Sequence, residues 1–102
     1  MDLQKMLEDA EALQKSLIQA QSDLENTEVK GLSGGGLVEI LMNAKGGLKE
    51  IKIKKEAVDP NDVETLEDLI LSAFHDASGK AESLSKEKLS RITGNKSLPN
   101  LF

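Results

Sequence analysis

The sequence contains no cysteine, tryptophan or tyrosine, and it has only two phenylalanines and one histidine in 102 residues. Without cysteine, the chain has no structural disulfides, thiolate zinc sites or cysteine nucleophiles. The single histidine, His75, has no second histidine or cysteine to complete a triad or a transition-metal site. With two aromatic rings, the chain lacks the stacking platform that binds single-stranded nucleic acid. These absences predict a protein that is not an enzyme and that holds no metal or cofactor.

Long apolar runs are also missing. The longest, such as residues 69–71, are far shorter than the roughly 20 residues that span a bilayer, and the first residues lack the pattern of a signal peptide. A secreted domain of this size would usually depend on disulfides. The glycine run at 34–36 matches neither phosphate-binding pattern, so we interpret it as a hairpin loop. We therefore expect a cytoplasmic protein with no membrane partner and no small-molecule substrate.

Charge alternates in sign along the chain. The net charge is −5, but residues 1–28, 29–55, 56–78 and 79–102 carry −5, +4, −7 and +3. Two basic blocks on an acidic chain create a surface with sign contrast, which matters more for partners than the total. Charge alone favours ordinary solvated lysines, and a phosphate-binding surface is the alternative.

The hydrophobic pattern predicts one α+β domain over residues 1–102, with the element order α-β-β-β-α. Residues 1–26 are expected to form the first helix, because their apolar residues recur in an unbroken heptad seam. This seam either packs on its own domain or pairs with another long helix. Its members are Leu3, Met6, Ala10, Leu13, Leu17, Ala20 and Leu24.

Residues 27–55 predict a three-stranded antiparallel meander, since the connections are too short for helical crossovers. Strands are expected at 27–30, 37–43 and 48–55, with a loop at 31–36. In the third strand, Ile51 and Ile53 should face inward. Leu37 and Leu41 give the second strand a second apolar face, which favours a central or interface strand.

Residues 59–93 predict a second long helix, with Asp59 as its N-cap and Pro60 at its first position. At about 50 Å, such a helix exceeds the diameter of a domain this small, so one end must project or meet another subunit. Gly79 indicates a kink or a close helix contact within it. Residues 94–102 are expected to form a flexible tail.

A set of short motifs occurs along the chain in one order, from the first strand to the second helix. The motifs are Glu28-Val29-Lys30-Gly31, Ser33-Gly34-Gly35-Gly36-Leu37-Val38, Asn43-Ala44, Ile51-Lys52-Ile53, Glu67-Asp68-Leu69, Ala73-Phe74-His75-Asp76-Ala77 and Lys86-Glu87-Lys88. With these motifs, the sequence resembles the YbaB/EbfC family of bacterial nucleoid-associated proteins over essentially its whole length.

The resemblance implies a homodimer with a joint sheet and projecting helical arms that bind double-stranded DNA in the nucleoid. With few aromatic rings, binding should use the phosphate backbone with little sequence preference, and contribute to nucleoid organisation and gene regulation. The alternative is an acidic homodimeric protein–protein interaction module that binds no nucleic acid.

The expected site residues fall into three groups. The DNA-binding positions are Lys80, Lys86, Lys88 and Arg91, with Lys5 and Lys15 on the first helix. A second basic surface consists of Lys49, Lys52, Lys54 and Lys55. The dimer interface is expected to include Leu13, Leu17, Leu37, Leu41 and Phe74.

Overall fold

A computed structural model describes residues 2–92 of the protein. In chain order the elements are α1 (Leu3–Glu25), β1 (Glu28–Ser33), β2 (Val38–Asn43), β3 (Leu48–Ile53), a short 3-10 helix (Lys55–Ala57) and α2 (Val63–Ile92). The strands form one sheet in the order β1-β2-β3, with both pairings antiparallel. The predicted α+β meander between two long helices is confirmed.

Aspartate side chains cap both helices at their N-termini. Asp2 accepts a hydrogen bond from the backbone N–H of Gln4 at 3.0 Å, and Asp62 accepts one from the N–H of Thr65 at 3.3 Å. The prediction that Asp59 caps α2 is wrong, since its carboxylate accepts from the N–H of Asn61 in a separate turn. Proline favours the second position of such a turn, so the Asp59-Pro60 pair precedes the helix and α2 begins at Val63.

β1 is longer than the pattern suggested. Its pairing with β2 continues from Glu28 opposite Asn43 to Ser33 opposite Val38. The predicted loop at 31–36 therefore begins too early, and the turn consists of residues 34–37, of which the first three are glycines. These glycines have φ angles of 59°, 68° and 95°, which side chains other than glycine rarely adopt.

The core lies between one face of the sheet and α2. Val38, Ile40 and Met42 alternate along β2 and are fully buried. Small residues spaced by four on α2 complete the core, namely Ala73, Ala77 and Ala81. Because these side chains are methyl groups, the helix backbone can approach the sheet closely.

The closest approach is between α2 and Gly31 of β1. A Cβ atom added to Gly31 would lie 2.1 Å from the carbonyl oxygen of Ala73 and 2.5 Å from the nitrogen of Ala77. Real Cβ atoms essentially never come so near to backbone atoms. Glycine is therefore required here by space, although its φ angle is not unusual.

The third strand does not join this core. Ile51 and Ile53 pair with Ile40 and Val38, so they lie on the core face of the sheet. They are nevertheless 43% and 40% exposed, because α2 packs on β1 and β2. Ile51 and Ile53 thus face the core side of the sheet as expected, but in the single chain α2 does not cover them, and an open apolar strip remains beside the helix.

The molecule is elongated. Its radius of gyration is 19.1 Å, and its extents are 70 × 24 × 16 Å, whereas a compact domain of about 100 residues has a radius near 13 Å. The reason is that α1 meets α2 only near its own C-terminal end, where Ala20 and Leu24 are buried. Only the C-terminal part of the heptad seam therefore packs against a long helix, which is α2 of the same chain.

We predict opposite effects of alanine at two glycines. Gly31→Ala should destabilise the fold by about 1–3 kcal/mol, because the backbone of α2 must move away from the new Cβ atom. Gly79→Ala is the matched control, since α2 continues through Gly79 and an added Cβ would meet no described atom within 4 Å. It should stabilise the helix by about 0.5–1 kcal/mol. Urea unfolding would measure both, and a neutral Gly31→Ala variant would contradict the close packing.

Candidate nucleic-acid interface

The helices together form an arm that extends from the sheet. The C-terminal end of α1 meets the distal half of α2, where the Lys88 ammonium lies 3.1 Å from the Asp23 carboxylate across the two helices. Hydrogen bonds from Gln19 and Lys88 lower the pKa of Asp23. The arm carries the predicted DNA-binding cations of α2, and its other helix carries Lys5 and Lys15.

Every predicted cation of α2 already has a carboxylate partner. Lys86 pairs with Glu82 at 3.1 Å, and Arg91 pairs with Glu87, each one turn apart on the helix. These two cations are 77% and 73% exposed at the side chain. Exposed pairs of this kind contribute only about 0–1 kcal/mol, so a phosphate can replace the carboxylate at little cost.

Lys80 is held differently from Lys86 and Arg91. Its ammonium lies 3.2 Å from the Asp76 carboxylate and donates a 2.7 Å hydrogen bond to the backbone carbonyl of Lys30. The same carboxylate accepts a 2.9 Å hydrogen bond from the backbone N–H of Leu32. Both backbone groups belong to β1, an edge strand of the sheet. Lys80 and Asp76 therefore form hydrogen bonds with backbone groups of β1 that would otherwise be free to pair with another strand.

The pKa of Asp76 is lowered, first by the hydrogen bond from Leu32 and then by the one from Lys80. A lowered pKa means that the ionised carboxylate is favoured in the folded state. The sequence pattern did not single out this residue as part of the site. The spacing of four between Asp76 and Lys80 was the available signal, but it did not reveal that β1 lies beside the pair.

On α1, Lys5 and Lys15 have no carboxylate within ion-pair distance among residues 2–92. Both lie outside the heptad seam, on the solvent side of the helix. They are available to an anionic partner without breaking an internal pair. Of the predicted cations on the arm, those on α1 are therefore the ones that no described carboxylate pairs with.

The second predicted basic surface divides in two. On β3 and its neighbours, Lys49 pairs with Glu28 at 2.9 Å and Lys52 approaches Glu50 at 3.9 Å. A further pair, Lys30 with Glu39, balances the outer sheet face. Lys54 and Lys55 follow β3, and within the described part of the chain neither has an ion-pair partner. The four predicted lysines therefore do not form one basic patch.

The five predicted interface residues do not converge in the single chain. Leu13 and Leu17 lie on α1, before the strands of the sheet; Leu13 is exposed and Leu17 is half-buried. Leu37 and Leu41 are half-buried at β2, and Phe74 is 37% exposed on α2. Two further interface candidates, Ile51 and Ile53, were not expected, because their alternation in the sequence is typical of core positions.

Comparisons with known proteins place this arrangement in a family. The sequence model of the YbaB/EbfC DNA-binding family matches residues 1–96. A nucleoid-associated protein of Rhodospirillum centenum is 46% identical over 101 residues, covering 99% of this chain and 94% of its own. A nucleoid-associated protein of Nocardia farcinica is 40% identical over 100 residues, which are 98% of this chain and 91% of the relative. The family model describes DNA-binding proteins and the relatives are named nucleoid-associated proteins, as the resemblance in the sequence implied.

A solved structure shows the same fold. The crystal structure of an uncharacterized protein from Helicobacter pylori superposes with a TM-score of 0.82 at 23% sequence identity. The match covers 92% of this chain and 99% of the other. Among residues 2–92, no helix is long and apolar enough to cross a membrane.

We predict that Asp76 contributes stability at neutral pH and loses that contribution in acid. Because the folded pKa of Asp76 lies below the ordinary value of 3.8, the contribution is present above that value and disappears as pH falls through the folded pKa. Asp76→Ala should therefore lower the urea midpoint at pH 7, and the gap to the wild type should close in strong acid. Glu82→Ala, which removes only an exposed pair, is the control. A gap independent of pH would count against the carboxylate.

Proposed function

The chain belongs to the YbaB/EbfC DNA-binding family, and from that premise we propose that it is a nucleoid-associated protein that grips duplex DNA through the phosphate backbone. Binding has little sequence preference and takes place in the bacterial cytoplasm, where it contributes to nucleoid organisation and gene regulation. The observation that carries this proposal is a set of exposed cations on the arm. Lys5 and Lys15 have no ion-pair partner among residues 2–92, and Lys86 and Arg91 are held only by exposed pairs.

Duplex DNA competes well for such cations. Its phosphates hold condensed counterions, and each lysine or arginine that replaces one gains the entropy of ion release. Lys86 and Arg91 need only leave a neighbouring glutamate on the same helix. Lys80 and Lys88 hold strand and helix contacts instead, so we assign them to the architecture of the arm more than to direct phosphate contact.

The protein acts as a homodimer in this proposal. One chain has a net charge of −5 and few free cations, so doubling the arms is needed to make a surface that follows a duplex. The open strip at Ile51 and Ile53, with the exposed Phe74 and Leu71 of α2, supports an interface at the sheet. Burial of that apolar surface would drive the association.

The alternative function is a protein–protein interaction module without nucleic-acid binding. One observation favours it: all four predicted cations of α2 are paired with carboxylates in the free chain. In that case the arms would recruit a protein, and the acidic surface would repel DNA.

We expect duplex binding to depend steeply on salt. If about four to six phosphates are neutralised, log K should fall with log salt at a slope near −4 to −5. Fluorescence anisotropy with two duplexes of unrelated sequence should give similar affinities at each of several salt concentrations. No binding to either duplex at low salt would favour the interaction module.

Two matched double variants locate the binding surface. Lys86→Ala with Arg91→Ala should weaken binding to both duplexes alike, and should reduce the salt slope by about 1 for each phosphate that the variant no longer neutralises. Lys49→Ala with Lys52→Ala removes the same charge from the balanced outer sheet face and should change affinity much less. Equal effects of the two pairs would remove the arm from the proposal.

The dimer is tested by sedimentation at micromolar concentration. The wild type should sediment as a dimer, and Ile51→Lys with Ile53→Lys should shift it towards the monomer with unchanged helix content by circular dichroism. Val58→Lys, at an exposed position outside the strip, should leave the dimer intact. A wild-type monomer would contradict the proposed assembly, whatever the DNA affinity.

A further inference from the structure

The two edges of the sheet differ in what their backbone groups contact. β1 and β3 are the edge strands, since the sheet has the order β1-β2-β3. In an antiparallel ladder, every second residue of an edge strand turns its N–H and C=O away from the sheet. An edge of this kind can add a strand from another molecule.

The register of the sheet shows which residues of β1 face outward. The N–H of Lys54 donates a hydrogen bond to the carbonyl of Leu37, so every second residue along β2 from that point turns its backbone groups towards β3. The residues of β1 opposite these include Lys30 and Leu32. Lys30 and Leu32 therefore turn their own backbone groups outward.

Two side chains of α2 bind the outward groups of β1. Lys80 donates a 2.7 Å hydrogen bond to the Lys30 carbonyl, and Asp76 accepts a 2.9 Å hydrogen bond from the Leu32 N–H. An added strand would need the same carbonyl as its acceptor and the same N–H as its donor. The ammonium and the carboxylate lie 3.2 Å apart, so together they take the place of one N–H and one C=O of a neighbouring strand.

β1 has little else that protects its edge. Natural edge strands are commonly protected by a proline, a bulge or a free lysine. β1 contains no proline, and it pairs with β2 over six consecutive residues without a register shift. Its one lysine, Lys30, is paired with Glu39 at 3.4 Å. The Asp76–Lys80 pair is therefore the feature that closes this edge.

The β3 edge is not closed in this way. By the same alternation, Ile51 and Ile53 turn their backbone groups away from β2, and both residues are exposed. In the described part of the chain, no strand lies beside them. The sheet thus has one closed edge and one open edge.

We propose that Asp76 and Lys80 act as a cap on the β1 edge, which prevents open-ended assembly of the protein through its sheet. If both edges were open, β1 of one copy could pair with β3 of the next, and such a head-to-tail contact can repeat without limit. With β1 capped, the sheet can be extended only at β3, where two copies complete the assembly. The limit of two copies rests on the proposed homodimer, whereas the closed β1 edge does not depend on it.

A charge-neutral double variant tests the cap. Asp76→Ala with Lys80→Ala removes one acid and one base, and it frees both backbone groups of β1. In sedimentation velocity over a range of micromolar concentrations, the weight-average mass should rise with concentration to roughly twice that of the wild type or more, because copies add head to tail. Glu82→Ala with Lys86→Ala is the matched control. It removes a pair of the same spacing on the same helix and leaves both bonds to β1 in place, so it should sediment like the wild type.

Leu32→Pro in the double variant distinguishes strand addition from unfolding. Proline removes the outward N–H and is tolerated where an edge strand turns that N–H to solvent. The triple variant should therefore return to the wild-type mass. Circular dichroism measures the helix content of each variant. If the double variant loses helix, Lys80→Met takes its place, because it removes the ammonium and keeps the aliphatic stem, and the same growth in mass is expected of it.

The cap is disproved if the folded variant keeps the wild-type mass at every concentration, which would mean that the packing of α2 alone shields β1. It is also disproved if the control variant grows as much, or if larger species persist with Leu32→Pro. A wild-type monomer would contradict the homodimer and not the cap, because the cap is judged by the growth of the variant relative to the wild type.

Discussion

The contact between the backbones of α2 and β1 determines the architecture of this protein. Gly31 has no side chain, and Ala73 and Ala77 have only methyl groups, so the helix lies directly on the first strand. That position leaves β3 without a helix to cover it in the described part of the chain. It also directs the distal half of α2 past the sheet, where α1 becomes its neighbour. A bulkier residue at position 31 would disturb both features together.

The same contact sorts the basic residues by role. It brings Asp76 and Lys80 to the outer edge of β1, where they occupy the backbone groups of Leu32 and Lys30. Cations farther along the arm pair only with exposed glutamates and are easily released. In the proposed function, an acidic protein presents a phosphate-binding surface because its carboxylates hold the cations loosely in the free state. Positions matter more here than the net charge.

An elongated chain with open apolar strips is stable only when those strips find partners. The strip at β3 and most of the seam of α1 both remain exposed in the single chain. A second subunit suits the sheet, where apolar residues flank an uncovered strand. That assignment suits a small domain that buries too little surface alone.

The order of elements and the antiparallel meander followed from the sequence, because hydrophobic periodicity and turn residues are local signals. The family followed from the resemblance of short motifs along the chain, and not from periodicity. The family motifs also sufficed to choose DNA-binding candidates. Three features depended on the tertiary structure: the exposure of Ile51 and Ile53, the start of α2 at Val63, and the attachment of Lys80 to β1. Each of these features depends on which side chains or backbone groups a residue contacts in the fold. Those contacts are made by residues distant in the sequence, so the local hydrophobic pattern does not predict them.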